Sequence, residues 1–104
     1  SRWAALAIWK DLVNRKFGAK LTPTNKNFGT SCKAQAGKAG VHSGTTGTFT
    51  YLCQFLLAAK GYYTGPMDAV CGDGTVAAIA AFQRATGKTV DGWCGADTWY
   101  GLFN

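Results

Sequence analysis

One eight-residue pattern occurs twice in the chain at a fixed register. Asp68-Ala-Val-Cys71-Gly72-Asp-Gly-Thr75 is matched 23 positions later by Asp91-Gly-Trp-Cys94-Gly95-Ala-Asp-Thr98, so both stretches read Asp-x-x-Cys-Gly-x-x-Thr. Each residue type has a physical task. Asp bonds nearby backbone amides, Cys points inward, Gly permits a tight turn, and Thr is expected to cap the helix that follows. A threonine cap of this kind contributes roughly 1 kcal/mol. Neither Thr is followed three residues later by Glu or Gln, so neither start is a capping box. Two such units imply a pseudo-twofold pair of loop-helix elements around one small core.

The apolar spacing places helices around these turns. Tyr51 to Lys60 reads as a helix with Leu52, Cys53, Leu56 and Leu57 inward, stopped at Gly61. Val76 to Thr86 reads as a second, opened by Thr75, carrying Ile79 and Phe82 and stopped at Gly87. Thr98 opens a short third helix through Trp99, Leu102 and Phe103. Further upstream, Leu6, Trp9, Val13 and Phe17 recur at steps of three and four, which predicts an amphipathic helix over 3–17 that packs on the rest of the protein. Lys20 to Thr48 is rich in Gly, Thr, Asn and Lys and reads as a basic irregular clasp, flexible over 36–47.

Charge is divided unevenly. Of the net +6, residues 1–48 carry +7 and residues 49–104 carry −1. A basic front half is either a solvated face or an attractor for a polyanion such as a wall polymer, a lipid headgroup or nucleic acid. The 104 residues hold five Asp, no Glu and one histidine, His42, so Glu-based acid–base pairs and His-dyad metal sites lack their parts. His42 sits in the glycine-rich clasp, and a Cys–His nucleophile there would need a free cysteine beside it. No run of about 18 apolar residues occurs, so no transmembrane segment is expected. Cys32, Cys53, Cys71 and Cys94 show no metal-ligand spacing. An even count in a small chain reads best as two disulfides in an exported protein whose signal peptide is already gone, with three pairings open; the alternative is reduced core cysteines in a cytosolic protein.

Over 49–104 these motifs together resemble the small three-helix peptidoglycan-binding domain found at the ends of bacterial wall hydrolases. Cys53-Gln54-Phe55-Leu56-Leu57 stands for Leu-Gln-x-Leu-Leu, and Gly61-Tyr62-Tyr63-Thr64-Gly65-Pro66-Met67-Asp68 for Gly-Tyr-Tyr-x-Gly-x-x-Asp. Ala78-Ile79-Ala80-Ala81-Phe82-Gln83 stands for Ala-Val-x-x-Phe-Gln. Val90-Asp91-Gly92-Trp93-Cys94-Gly95 with Thr98-Trp99 closes the pattern. Residues 1–48 match no part of the family. Cys53, Cys71 and Cys94 stand where the family keeps aliphatic or aromatic core residues, which implies that they point inward. Their equivalence in the repeat favours a Cys71–Cys94 bridge with Cys32–Cys53.

The resemblance implies a mainly α fold: a three-helix module with a pseudo-twofold loop-helix repeat over 49–104, carrying a basic extension over 1–48. It also implies non-catalytic binding to bacterial peptidoglycan, with no cofactor and no metal. Sugar rings call for aromatic faces, and hydroxyls and amides for polar partners. The candidates are Tyr62, Tyr63, Gln83, Arg84, Asp91, Trp93, Trp99 and Tyr100. Tyr62, Trp93 and Tyr100 are each either an exposed platform or a lid on the core. Gln83 meets a ligand or a loop backbone, and Asp91 a ligand or its own turn. The expected protein is a monomer, secreted, extracellular or wall-associated, whose partner is peptidoglycan or an anionic wall polymer and not nucleic acid. Two rival readings use the same scaffold to bind a protein, as a protease inhibitor or prodomain-like partner, or use residues 3–17 to disturb membranes.

Overall fold

The computed structural model describes residues 40–103, so the helix expected over 3–17, most of the basic clasp and Cys32 lie outside the described residues. Three helices follow in order: α1 (Thr48–Ala59), α2 (Asp73–Ala85) and α3 (Ala96–Phe103). The fold is mainly α, and among the described residues there is no strand beyond two isolated antiparallel bridges.

The inward faces meet in one core. Leu52, Cys53, Leu56 and Leu57 of α1 lie against Ala78, Ile79 and Phe82 of α2 and Trp99 and Leu102 of α3, all buried. Phe49 meets Trp99 edge-on, with ring centroids 6.1 Å apart, and Tyr62 meets Phe82 the same way at 5.5 Å. Helices α1 and α2 stop alike. Gly61 and Gly87 adopt φ of +87° and +70°, and the next residues, Tyr62 and Lys88, donate back to the Leu57 and Gln83 carbonyls at 2.8 Å. This is the left-handed glycine stop expected at both positions.

The helix starts differ from expectation. Gly72, with no side-chain cap, precedes α2, and the first bonds run from Val76 N–H to the Gly72 carbonyl and from Trp99 N–H to the Gly95 carbonyl. Thr75 and Thr98 are each the third residue of their helix, not its cap. Their hydroxyls serve a different partner.

Residues 41–47 form a strap across both repeats. Val41 and Cys94 exchange backbone bonds at 3.3 and 2.8 Å, while Gly44 donates to the Cys71 carbonyl and Cys71 to the Thr45 carbonyl. Gly47 donates to the Ala69 carbonyl at 3.0 Å. A tight turn from His42 to Thr45 joins the two legs, closed by a 2.9 Å backbone bond. Val41 is fully buried in the core. The strap lies in the stretch expected to be flexible, but its five cross-chain bonds pin it to both turns.

Candidate functional site

Each repeat is built as a knot around a buried glutamine. Gln54 on α1 donates its amide to Asp68 Oδ1 (3.1 Å), the Val70 carbonyl (3.0 Å) and Thr75 Oγ1 (3.0 Å), and its Oε1 accepts from Ala69 N–H at 3.1 Å. Gln83 on α2 repeats this with Asp91 Oδ1 (2.9 Å), the Trp93 carbonyl (2.8 Å) and Thr98 Oγ1 (3.1 Å). Its Oε1 accepts from Asp91 and Gly92 N–H, both at 3.1 Å. Each Asp also closes its own turn, with Val70 and Trp93 N–H donating to the same Oδ1 at 3.0 and 2.9 Å. A buried amide must satisfy its donors and acceptor, and both glutamines do so entirely inside the protein.

The electrostatics follow from these bonds. The Gln54 amide, then the Val70 N–H, hold the Asp68 carboxyl below the usual carboxylate range. Burial, and then the nearby Cys53, push the Cys71 thiol up to about 11. Cys53 and Cys71 are buried free thiols, so the expected Cys71–Cys94 bridge is not formed here, and Cys32 of the expected second bridge lies outside the described residues. The repeat makes Cys71 and Cys94 equivalent, and both are buried in the one core. The thiol whose charge Cys71 feels is Cys53 on α1.

A cleft opens beside each knot. The first, about 440 Å³, is lined by Tyr62, Tyr63, Pro66, Asp68, Val70 and Thr75 among others. The second, about 670 Å³ and more polar, is lined by Gln83, Lys88, Asp91, Trp93, Asp97 and Thr98 among others. Asp68, Val70, Gly72 and Thr75 in the first cleft are the repeat equivalents of Asp91, Trp93, Gly95 and Thr98 in the second.

The candidate residues fall into three groups. Gln83, Asp91 and Trp93 meet at the second cleft, with Trp93 48% exposed. Tyr62 and Tyr63 meet at the first; Tyr62 is half-buried, and Tyr63 is buried with its hydroxyl donating to the Pro66 carbonyl at 2.6 Å. Arg84 is exposed on the last turn of α2 and lines neither cleft, and Tyr100 is half-buried against the core. Trp99 is a correction: it is fully buried, because it and Leu102 lie three apart on the inner side of α3.

Three contributors were not singled out from sequence. Gln54 had a signal, since it precedes its turn on a helix as Gln83 does. Lys88 had none; its ammonium lies close over Gly101, where an added Cβ would come within 3.2 Å of Nζ. His42, weighed only as a nucleophile, stacks on Trp93 with ring centroids 4.6 Å apart and planes inclined by 22°. Among the described residues, no group of three or more His, Cys, Asp or Glu is placed to hold a metal ion, and no helix is long and apolar enough to cross a membrane.

Three short helices with two glutamine knots and open clefts beside them define a small helical binding module. Residues 46–102 match the family described as "Putative peptidoglycan binding domain", and the chain belongs to that family. It is also similar to the "Putative OxPP cycle protein OpcA" of Synechocystis sp., 47% identical over 51 residues, which are 43% of this chain and 11% of that protein. The chain thus corresponds to a small part of a much longer relative. No solved structure matches it.

Proposed function

We propose that this protein is a non-catalytic module that attaches to bacterial cell-wall peptidoglycan. The observation that carries this reading is membership of the family over residues 46–102, together with two clefts held open by knots that leave no polar group of either glutamine wanting. The aromatic and polar side chains at the clefts, Tyr62, Asp91 and Trp93 foremost, supply the contacts. The +7 charge of residues 1–48 adds attraction to anionic wall polymers, which salt weakens within a Debye length of about 10 Å at 0.1 M. The module works outside the cytoplasm, on or near the wall. Sedimentation with purified insoluble peptidoglycan tests this: the protein is expected in the pellet at low salt, and full recovery in the supernatant refutes it.

One finding favours a second reading. The relative from Synechocystis sp. carries a name that refers to the OxPP cycle and not to a wall. On that reading the same scaffold docks on a protein, and the chain ignores wall material while binding its target tightly.

A further inference from the structure

The repeat contains its own control for Trp93. Val70 occupies the equivalent place in the first knot, where its N–H and carbonyl bond Asp68 and Gln54 just as those of Trp93 bond Asp91 and Gln83. The knot uses only the backbone of this residue, so nothing in the fold calls for an indole there. Trp93 leaves 48% of its surface in water and Val70 leaves 46%, but the indole is much the larger side chain, so the second knot exposes more apolar area than the first.

The indole is also held in place from behind. His42 stacks on one of its faces, and His42 Nδ1–H donates to the Ser43 carbonyl at 3.0 Å. The backbone of His42 is fixed by its N–H bond to Thr45 Oγ1 at 3.1 Å and by the Val41–Cys94 bridge next to it. His42 lies before residue 46, so the strap adds a part that the family unit does not contain. The second cleft, which Trp93 lines, is lined as well by the polar groups of Lys88, Asp91 and Asp97. Both knot bonds of Asp91 go to Oδ1, and none uses Oδ2.

A rigid aromatic face fringed by carboxylates and an ammonium suits one kind of ligand: a ring with an apolar C–H face and hydroxyls around its edge. We infer that Trp93, backed by His42, is a stacking platform for a pyranose ring. On the wall-binding reading above, from which this follows, the second cleft takes the N-acetylhexosamine strand of the wall and not its stem peptide. His42 acts as a positioning residue: it holds the indole and does not touch the sugar.

Calorimetric titration of the full chain with chitotetraose, the β-1,4 tetramer of N-acetylglucosamine, tests this beside the peptidoglycan sedimentation. Trp93→Val installs the residue that the first knot already tolerates, so the fold is kept. It is expected to weaken chitotetraose binding by at least about tenfold. His42→Ala is expected to weaken it several-fold and His42→Phe to restore it, which loss of a merely structural imidazole would not predict. Unchanged affinity in Trp93→Val, or failure of His42→Phe to rescue, overturns the platform. Retention on peptidoglycan without any chitotetraose binding overturns it while leaving the wall-binding reading intact; loss of both removes the two together.

Discussion

The side-chain amide of Gln83, near the end of α2, donates to Thr98 Oγ1 in the first turn of α3 across 3.1 Å, and Gln54 reaches Thr75 in the same way at 3.0 Å. Each glutamine therefore ties its helix to the start of the next. Replacing Gln83 with Leu leaves the Asp91 and Gly92 amides without their acceptor, while the Trp93 carbonyl keeps the Gly95 N–H. Stranded buried groups cost about 1–3 kcal/mol each, partly relieved by water, so a loss of roughly 2–4 kcal/mol is expected. Urea denaturation of Gln83→Leu and Gln54→Leu checks it, and the repeat predicts similar losses for both.

The two knots differ at one strained residue. Ala69 holds φ of +60°, where its repeat equivalent Gly92 holds +71°. A left-handed alanine costs about 1–2 kcal/mol, part of which returns as unfolded-state entropy when glycine replaces it. Ala69→Gly is expected to stabilise the protein by about 0.5–1 kcal/mol. Gly92→Ala is expected to destabilise it by more than that, since the new Cβ would lie 2.9 Å from Val76 Cγ1. Thermal melts of the pair read both signs.

Val41 is fully buried, though it stands outside the residues that the family unit spans. Its truncation to Ala empties part of the core and loosens the strap, and a loss of about 2 kcal/mol is expected. Amide exchange adds a local readout: Cys94 N–H, which donates to Val41, is expected to exchange faster in the variant.

Stability is expected to fall at both ends of the pH scale for separate reasons. The folded protein binds the Cys71 proton more tightly than the unfolded chain does, so this contribution is intact below about 9 and is lost as pH rises toward about 11. The Asp68 carboxyl is shifted down, so its contribution is present above the ordinary carboxylate range and is lost as pH falls through it. Denaturation midpoints measured from pH 2 to 11 are expected to show a shallower alkaline limb in Cys71→Val and a shallower acid limb in Asp68→Asn.

Much of this architecture could be read from residues alone. The Asp-x-x-Cys-Gly-x-x-Thr echo marked the two knots, and the glycines after each apolar helix marked where α1 and α2 end. The role of Thr75 and Thr98 was hidden, because a hydroxyl beside a helix start looks the same whether it caps the helix or accepts from a distant glutamine. The strap was hidden for another reason: its bonding partners, Cys71 and Cys94, lie tens of residues away, and its glycines suggest looseness. At the site, the residues alone leave Asp91 and Gln83 each between a ligand and a turn, and the bonds the structure gives them run within the turn, whereas Trp93 and Trp99 differ only by which side of a turn or helix they face. Cysteine count suggested bridges because an even number in a small chain permits them, but burial of Cys53 and Cys71 as thiols is an equally good use of a small apolar side chain.

The strap also determines how the module would respond to tension. It precedes α1, so a pull applied at Gly40 reaches the Val41–Cys94 pair before that helix. The two backbone bonds of that pair are the first to bear the load, and His42, the next residue, would leave the indole once they part. A load on the strap is thus felt at the stack of His42 on Trp93 before it reaches the bundle.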